Sequence, residues 1–195
     1  MGLTIHYRGR FREDAKLMEM VEEVIDVAEV NGWNYNVFEK EFNSTDFCNK
    51  TSDKNIHGVC FSPPNCEPVC LTFRSNRKMC SPFWIDRTDN LTEDQESSYW
   101  IFTKTQFAGF EVQAIIIRLF RHLSEKYLES FELYDEGQFW EFNNEIKSKE
   151  IFERYDKVMN TLADALKEIQ IEEDEPLEEY IKRISEQTKL RKDKN

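Results

Sequence analysis

Apolar and polar positions alternate from the first residues of the chain. Leu3, Ile5 and Tyr7 fall on one side and Thr4, His6 and Arg8 on the other, the period of a half-buried strand. From about Asp14 the period lengthens. Leu17, Val21, Val24, Ile25 and Ala28 form one helical stripe, and Gly32 stands where a C-terminal cap is needed. Residues 33–42 predict a second strand, and the polar stretch NSTDFCNKTSDKN predicts a loop. Short strands punctuated by turns follow: HGVCFS ends at Pro63-Pro64 and PVCLTFRS at Ser75-Asn76, while KMCSPFW, which carries Pro82, predicts an edge strand. A second polar loop, DRTDNLTEDQESS, leads into SYWIFTKT, apolar on both faces like a strand covered on both sides.

The most regular helix comes next, with Val112, Ile115, Ile116, Leu119, Leu123 and Tyr127 in register. FELYDE predicts a last short strand, turned by Gly137 into QFWEF. From about Asn144 the chain is helical and strongly charged, with a stripe of Phe152, Tyr155, Met159, Leu162, Leu166 and Ile169. Glu172 to Glu175 with Pro176 break that helix. A shorter amphipathic piece runs through Leu177, Tyr180, Ile181 and Ile184, and KLRKDKN reads as a frayed tail. Strands and helices do not alternate as βαβ units. The expected class is therefore α+β, an antiparallel or mixed sheet packed by two main helices with a helical C-terminal extension. Residues 1–142 would form the α+β domain, and residues 143–195 the extension, packed on the same domain.

Composition narrows the function classes. A chain of 195 residues supports one full core, and 13% aromatic residues, 15 of them Phe, are too many for a disordered chain. Asp and Glu outnumber Lys and Arg, 38 to 26, for a net charge of -12. That excess argues against a general nucleic-acid binder, which needs a basic face to release counterions, and against attraction to an anionic membrane. No apolar run reaches bilayer length, and MGLTIHYRGRF lacks the apolar segment of a signal peptide. A myristoylation pattern would want Ser or Thr where His6 stands. A cytoplasmic protein is the expectation.

Cys48, Cys60, Cys66, Cys70 and Cys80 fall in one third of the chain without a C-x2-C knuckle. His57 could complete a loose site, but the simpler reading is reduced thiols serving as small hydrophobes, and no metal is assigned. Sequons at Asn43, Asn49 and Asn90 read as polar loop composition. The six glycines are too scattered for a P-loop or a dinucleotide fingerprint, and no H-E-x-x-H, G-x-S-x-G or kinase set occurs. No cofactor is called for. Catalysis by His with Ser or Cys would need a spatial proximity that spacing does not give.

Three features bear on binding. In TKTQFAG, residues 103–109, a strand runs out and a helix begins. Thr105 is the expected N-cap, and free amides there with Lys104 and Gln106 would suit a phosphate or carboxylate; capping and close packing at Gly109 are the simpler account. His6, Arg8 and Arg10 share a face of the first strand, and Thr72 and Arg74 oppose the apolar Val69, Leu71 and Phe73. If those strands are neighbours, their polar faces join into one cationic surface; otherwise each is a solvated outer face. Asp135, Glu136 and Glu141 surround Gly137, with Phe139 and Trp140 among them. They read as turn chemistry or as paired carboxylates for acid/base work. The helix over 144–169 would pack on its own domain or serve a partner.

GLTIHYRGRF, the VEEVIDVAEVNGW helix, TKTQFAG and DEGQFWEF together resemble a group of small bacterial proteins without assigned activity, over residues 2–42 and 58–142. The resemblance implies a bacterial cytosolic protein and brings no residue role with it. The functional expectation is a non-enzymatic cytosolic binding protein, an immunity or antitoxin-like inhibitor of a protein partner. It rests on the negative charge, the missing catalytic motifs and the many aromatics. The alternative is an enzyme or ligand-binding domain with an anion site at the 103–109 turn, built from Lys104, Thr105 and Gln106 with His6, Arg8 and Arg74.

Overall fold

The computed structural model describes residues 2–42, 55–85, 99–168 and 176–192. The alternating N-terminal segment forms strand β1 (Thr4–Phe11). Leu3, Ile5, Tyr7 and Phe11 are wholly buried, and the residues between them reach solvent. Helix α1 (Leu17–Val30) buries Leu17, Met20, Val21, Val24 and Ala28. It ends where expected and for the expected reason. Gly32 takes a left-handed φ of 67°, its N–H reaches the Glu29 carbonyl at 3.0 Å, and the Trp33 N–H reaches that of Ala28 at 2.8 Å. These are the two bonds of a Schellman motif, which wants glycine at this position. Trp33 is thereby turned inward to stack on Phe61, with ring centroids 5.6 Å apart.

Two three-stranded sheets follow, every pairing between strands antiparallel. One has the order β2-β3-β4, from β2 (Asn34–Val37), β3 (His57–Ser62) and β4 (Val69–Phe73). The other has the order β5-β1-β6, from β5 (Ile101–Lys104), β1 and β6 (Leu128–Asp135). Between β5 and β6 lie a 3-10 turn, Gln106–Ala108, and helix α2 (Gly109–Tyr127), which runs straight into β6. Isolated bridges tie Lys78 to Arg10 and Met79 to Phe73. The Tyr7 hydroxyl accepts from the Cys70 N–H at 2.9 Å and donates to the Cys70 carbonyl at 3.1 Å, joining the centre of one sheet to β4 of the other. Aromatic rings fill the space between: Phe11 lies 5.2 Å from Phe73 and Tyr7 4.7 Å from Phe120. The class is α+β, with α1 and α2 as the two main helices of this unit.

After β6 come the short α3 (Phe139–Phe142), α4 (Glu145–Glu168) and α5 (Leu177–Lys192). The chain divides into two compact units, Met1–Ser148 and Lys149–Asn195. In the second, Phe152 is buried, Tyr155, Met159 and Leu162 are half-buried, and Leu166 is exposed. No described helix is long and apolar enough to cross a membrane.

Several local expectations shift. The strand over 33–42 is confined to Asn34–Val37. KMCSPFW forms bridges at Lys78 and Met79 rather than a strand. The stripe of α2 is rotated, with Val112 and Ile115 half-buried while Gln113, Ile117 and Phe120 are buried. Helix α5 continues through Lys192, so the first four residues of KLRKDKN are helical and not a tail, and residues 193–195 lie outside the described residues. The loops expected over residues 43–54 and 86–98, with Cys48, Asn43, Asn49 and Asn90, and the helix break expected at 172–175 fall on residues outside those described.

Candidate functional site

The polar face of β5-β1-β6 is organised in cross-strand rows, because residues two apart share a face and the register places them side by side. His6 is opposite Phe102 on β5 and Tyr134 on β6. Its ring lies 6.5 Å from the first and 6.1 Å from the second. Phe102 is 47% exposed and Tyr134 58%, so a row of three rings lies open to solvent. The next row pairs Arg8 with Glu132. Nε and Nη2 of Arg8 donate to the two carboxylate oxygens at 3.0 and 2.8 Å, the bidentate geometry that guanidinium favours. The same guanidinium lies 4.8 Å from the Trp100 ring. Arg10 meets Glu129 at 3.8 Å and His6 meets Glu136 at 3.9 Å. Each basic side chain of β1 thus faces a carboxylate on or just beyond β6.

At the end of this sheet the strand-to-helix turn is tightly committed. The Thr105 and Gln106 N–H groups both donate to the Leu3 carbonyl, at 3.0 and 3.2 Å, and the Ala108 N–H donates to that of Thr105 at 2.9 Å. Those amides, which an anion would need, are already used. Thr105 does not cap the helix. Its buried hydroxyl donates to the Gln113 Oε1, and Gln113 Nε2 donates to Asp135 Oδ1 at 2.6 Å. Lys104 stands above the Phe107 ring at 5.2 Å, and its backbone exchanges two bonds with Glu67. Gln106 is 1% exposed, and neither atom of its amide has a hydrogen-bond partner among the described residues.

Asp135 explains the acidic feature around Gly137. Oδ1 also accepts from the Gly137 N–H at 2.8 Å, and Oδ2 accepts from Phe139 and Trp140 at 2.8 and 3.1 Å. Burial pushes this carboxyl up, and the backbone donors of Trp140, Gly137 and Phe139 pull it back. The carboxylate shapes the turn into α3. Gly137 is needed there, since a Cβ would overlap the Gln113 amide.

Arg74 does not join His6 and Arg8. Strand β4 belongs to the other sheet and is buried along its whole length, so Thr72 and Arg74 have no solvated face to share with β1. Arg74 is 4% exposed, and its Nη2 donates to the Ile85 carbonyl at 3.2 Å. The joint cationic surface is therefore not formed. His6, Arg8 and Lys104 do lie on one face, in successive rows.

Spacing also hides a Ser–His contact. Nε2 of His57 lies 3.0 Å from the Ser75 Oγ, and Nδ1 lies 2.6 Å from the Glu41 carbonyl oxygen. The second bond requires Nδ1–H; in the neutral tautomer Nε2 then accepts from the serine, the polarity of a nucleophile and its base. Both residues are buried, with no room for a carbonyl substrate. The pair ties the start of β3 to the turn after β4. Among the described residues no three His, Cys, Asp or Glu side chains converge as metal ligands would.

The fold and face thus define an α+β domain with an open, aromatic, charge-paired sheet. No protein-family model matches the chain, and neither a curated protein nor a solved structure matches it.

Proposed function

We propose that this is a non-enzymatic cytoplasmic binding protein, of the immunity or antitoxin kind, that docks a basic protein on the open face of β5-β1-β6. One observation carries the reading: the solvent-exposed row Phe102–His6–Tyr134 on a rigid three-stranded scaffold. Aromatic side chains held by strands give large contact area at little entropic cost, and aromatics with Arg dominate protein interfaces. The ion pairs beside the row leave the face itself nearly balanced, so long-range attraction falls to the net charge of -12, which favours a basic partner.

The test is native mass spectrometry of the protein purified gently from its host at low salt, beside a Phe102→Ser/Tyr134→Ser variant of unchanged circular dichroism. A stoichiometric complex with a basic polypeptide is expected, and each substitution should weaken it by about 2 kcal/mol, roughly thirtyfold in Kd. A protein that migrates alone at low salt, or a partner indifferent to both substitutions, would sink the proposal.

A second reading has one observation in its favour, the buried amide of Gln106 at the 103–109 turn, which has no partner among the described residues. In that reading the turn holds a small carboxylate or phosphate. Millimolar phosphate then raises the melting temperature of the wild type and not of Lys104→Ala; no shift with any anion removes it.

A further inference from the structure

Strands β3 and β4 place Cys60 directly opposite Cys70. The neighbouring ladder shows which kind of pair this is. Gly58, two residues earlier on β3, turns its N–H and C=O away from β4, to Glu39 and Phe38, each at 2.9 Å. With a period of two, Cys60 turns the same way, while the N–H and C=O of Cys70 are taken by the Tyr7 hydroxyl. Cys60 and Cys70 therefore form a non-hydrogen-bonded pair, in which opposed Cα atoms approach to about 4.5 Å. That lies inside the range of roughly 4.4–6.8 Å that a disulfide spans. The two sulfurs are already 2.8 Å apart. Closing to a bond of about 2.05 Å needs a small side-chain adjustment and no movement of the strands.

The two thiols differ in access. Cys60, 7% exposed, lines a pocket of 390 Å³ with Asn34, Asn36, Phe38, Ser62 and the exposed Phe83. Cys70 lies deeper and is 1% exposed. The hydrogen bond it shares with Cys60, and then burial, push the Cys70 thiol well above its ordinary value, and its deeper position keeps it from meeting a disulfide in the pocket first. Cys66 points elsewhere, to the Lys104 carbonyl oxygen at 3.6 Å. Burial pushes Cys66 and Cys80 up to about 12.

We propose that Cys60 and Cys70 are a reversible dithiol–disulfide pair, a modification site that a low-molecular-weight disulfide reaches through the pocket at Cys60. The Cys60 thiolate attacks one sulfur of the small disulfide, forming a mixed disulfide and expelling a thiolate. Cys70 gives up its proton and attacks the Cys60 sulfur, expelling the second small thiolate. The protein loses two electrons and two protons, and the small disulfide is reduced to two thiols. A pair of this kind in a cytosolic protein acts as a redox sensor rather than a structural staple.

The experiment treats the folded full-length chain with oxidised glutathione, alkylates the remaining thiols and measures the mass. Alkylatable cysteines should fall from five to three, with the loss of two hydrogens, and dithiothreitol should restore all five. Trypsin together with cleavage after Glu67 leaves Cys60 on residues 55–67 and Cys70 on residues 68–74, apart from Cys48 and Cys80, so that these two fragments stay joined only through the bridge. Cys66→Ser should behave as the wild type, and Cys60→Ser should form no bridge. Should Cys60→Ser fail to fold, the fragment map in the Cys66→Ser background decides alone. Loss of no hydrogens at any glutathione ratio, a stable glutathione adduct without a bridge, or a bridge through Cys48 or Cys80 would each overturn the proposal.

Discussion

Tyr7 and Gln106 are both buried polar side chains, and their surroundings give them opposite values. The Tyr7 hydroxyl satisfies the N–H and the C=O of Cys70 at once. Burial, with Cys70 close by, pushes the phenol well above its ordinary value, so it stays a neutral donor and acceptor at any ordinary pH. Tyr7→Phe orphans both backbone groups and should cost about 1–3 kcal/mol, read from denaturant midpoints. Gln106 satisfies nothing among the described residues. Gln106→Met keeps most of the volume and removes an uncompensated amide, so it should be neutral or stabilise by about 1 kcal/mol. A clear loss of stability would show that the amide already has a partner in the folded protein, which removes the observation on which an anion site at that turn rests. Neither role is legible in spacing, because each depends on a chain segment far away in sequence: residue 70 for Tyr7, and residues 2–3 for the turn at Gln106.

At the scale of elements, one carboxylate of α1 gathers three donors of α2. Glu23 accepts from Lys126 Nζ at 2.5 Å, from His122 Nε2 at 2.7 Å and from the Tyr127 hydroxyl at 2.8 Å. Burial alone would raise its pKa; the bonds from Lys126, Tyr127 and His122 outweigh that and hold it below the ordinary value of 4.5. A carboxylate depressed in the folded state contributes stability above its unfolded pKa and loses it as the pH falls through the folded one. Glu23→Gln should therefore lower stability at pH 7, by less than about 1 kcal/mol because the cluster is half exposed. The difference in Tm between the two proteins should narrow as the pH falls past the ordinary carboxyl value of 4.5 and close in stronger acid. A gap that persisted into acid would show that packing and not charge is responsible.

Elements are legible in the sequence where neighbours in the chain decide them. The alternation of β1, the glycine cap of α1 and the segment HGVCFS as β3 are such cases. Thr105 misleads because a Thr before a helix carries a capping signal whether or not another acceptor is nearer, and here Gln113 is nearer. The rotated stripe of α2 has the same origin: Thr105 and Asp135 draw Gln113 inward and leave Val112 and Ile115 half-covered. Arg74 looks like a surface cation because nothing local tells that β4 is covered on both faces. The row Phe102–His6–Tyr134 assembles three residues from three strands, and only strand order brings them together.

For the whole molecule, the proposed docking divides the work between charge and shape. The basic residues of β1 are matched by carboxylates on or beside β6, so the excess of negative charge resides elsewhere on the chain. The association rate with a basic partner should then fall steeply with salt while the dissociation rate changes little. Stopped-flow measurements between 50 mM and 500 mM salt separate the two. A salt effect carried by dissociation would place the ion pairs of the face in direct contact with the partner.

The position of β1 at the centre of its sheet has a consequence during synthesis. Its partners are residues 101–104 and 128–135, so on the ribosome this strand has no sheet to join until most of the chain has been made. At roughly 5–20 residues per second that wait lasts many seconds. The sheet made of residues 34–73 can close much earlier, from contacts nearer in sequence. Until then Leu3, Ile5 and Tyr7 present an apolar strand with two open edges, the kind of segment that nascent-chain chaperones retain.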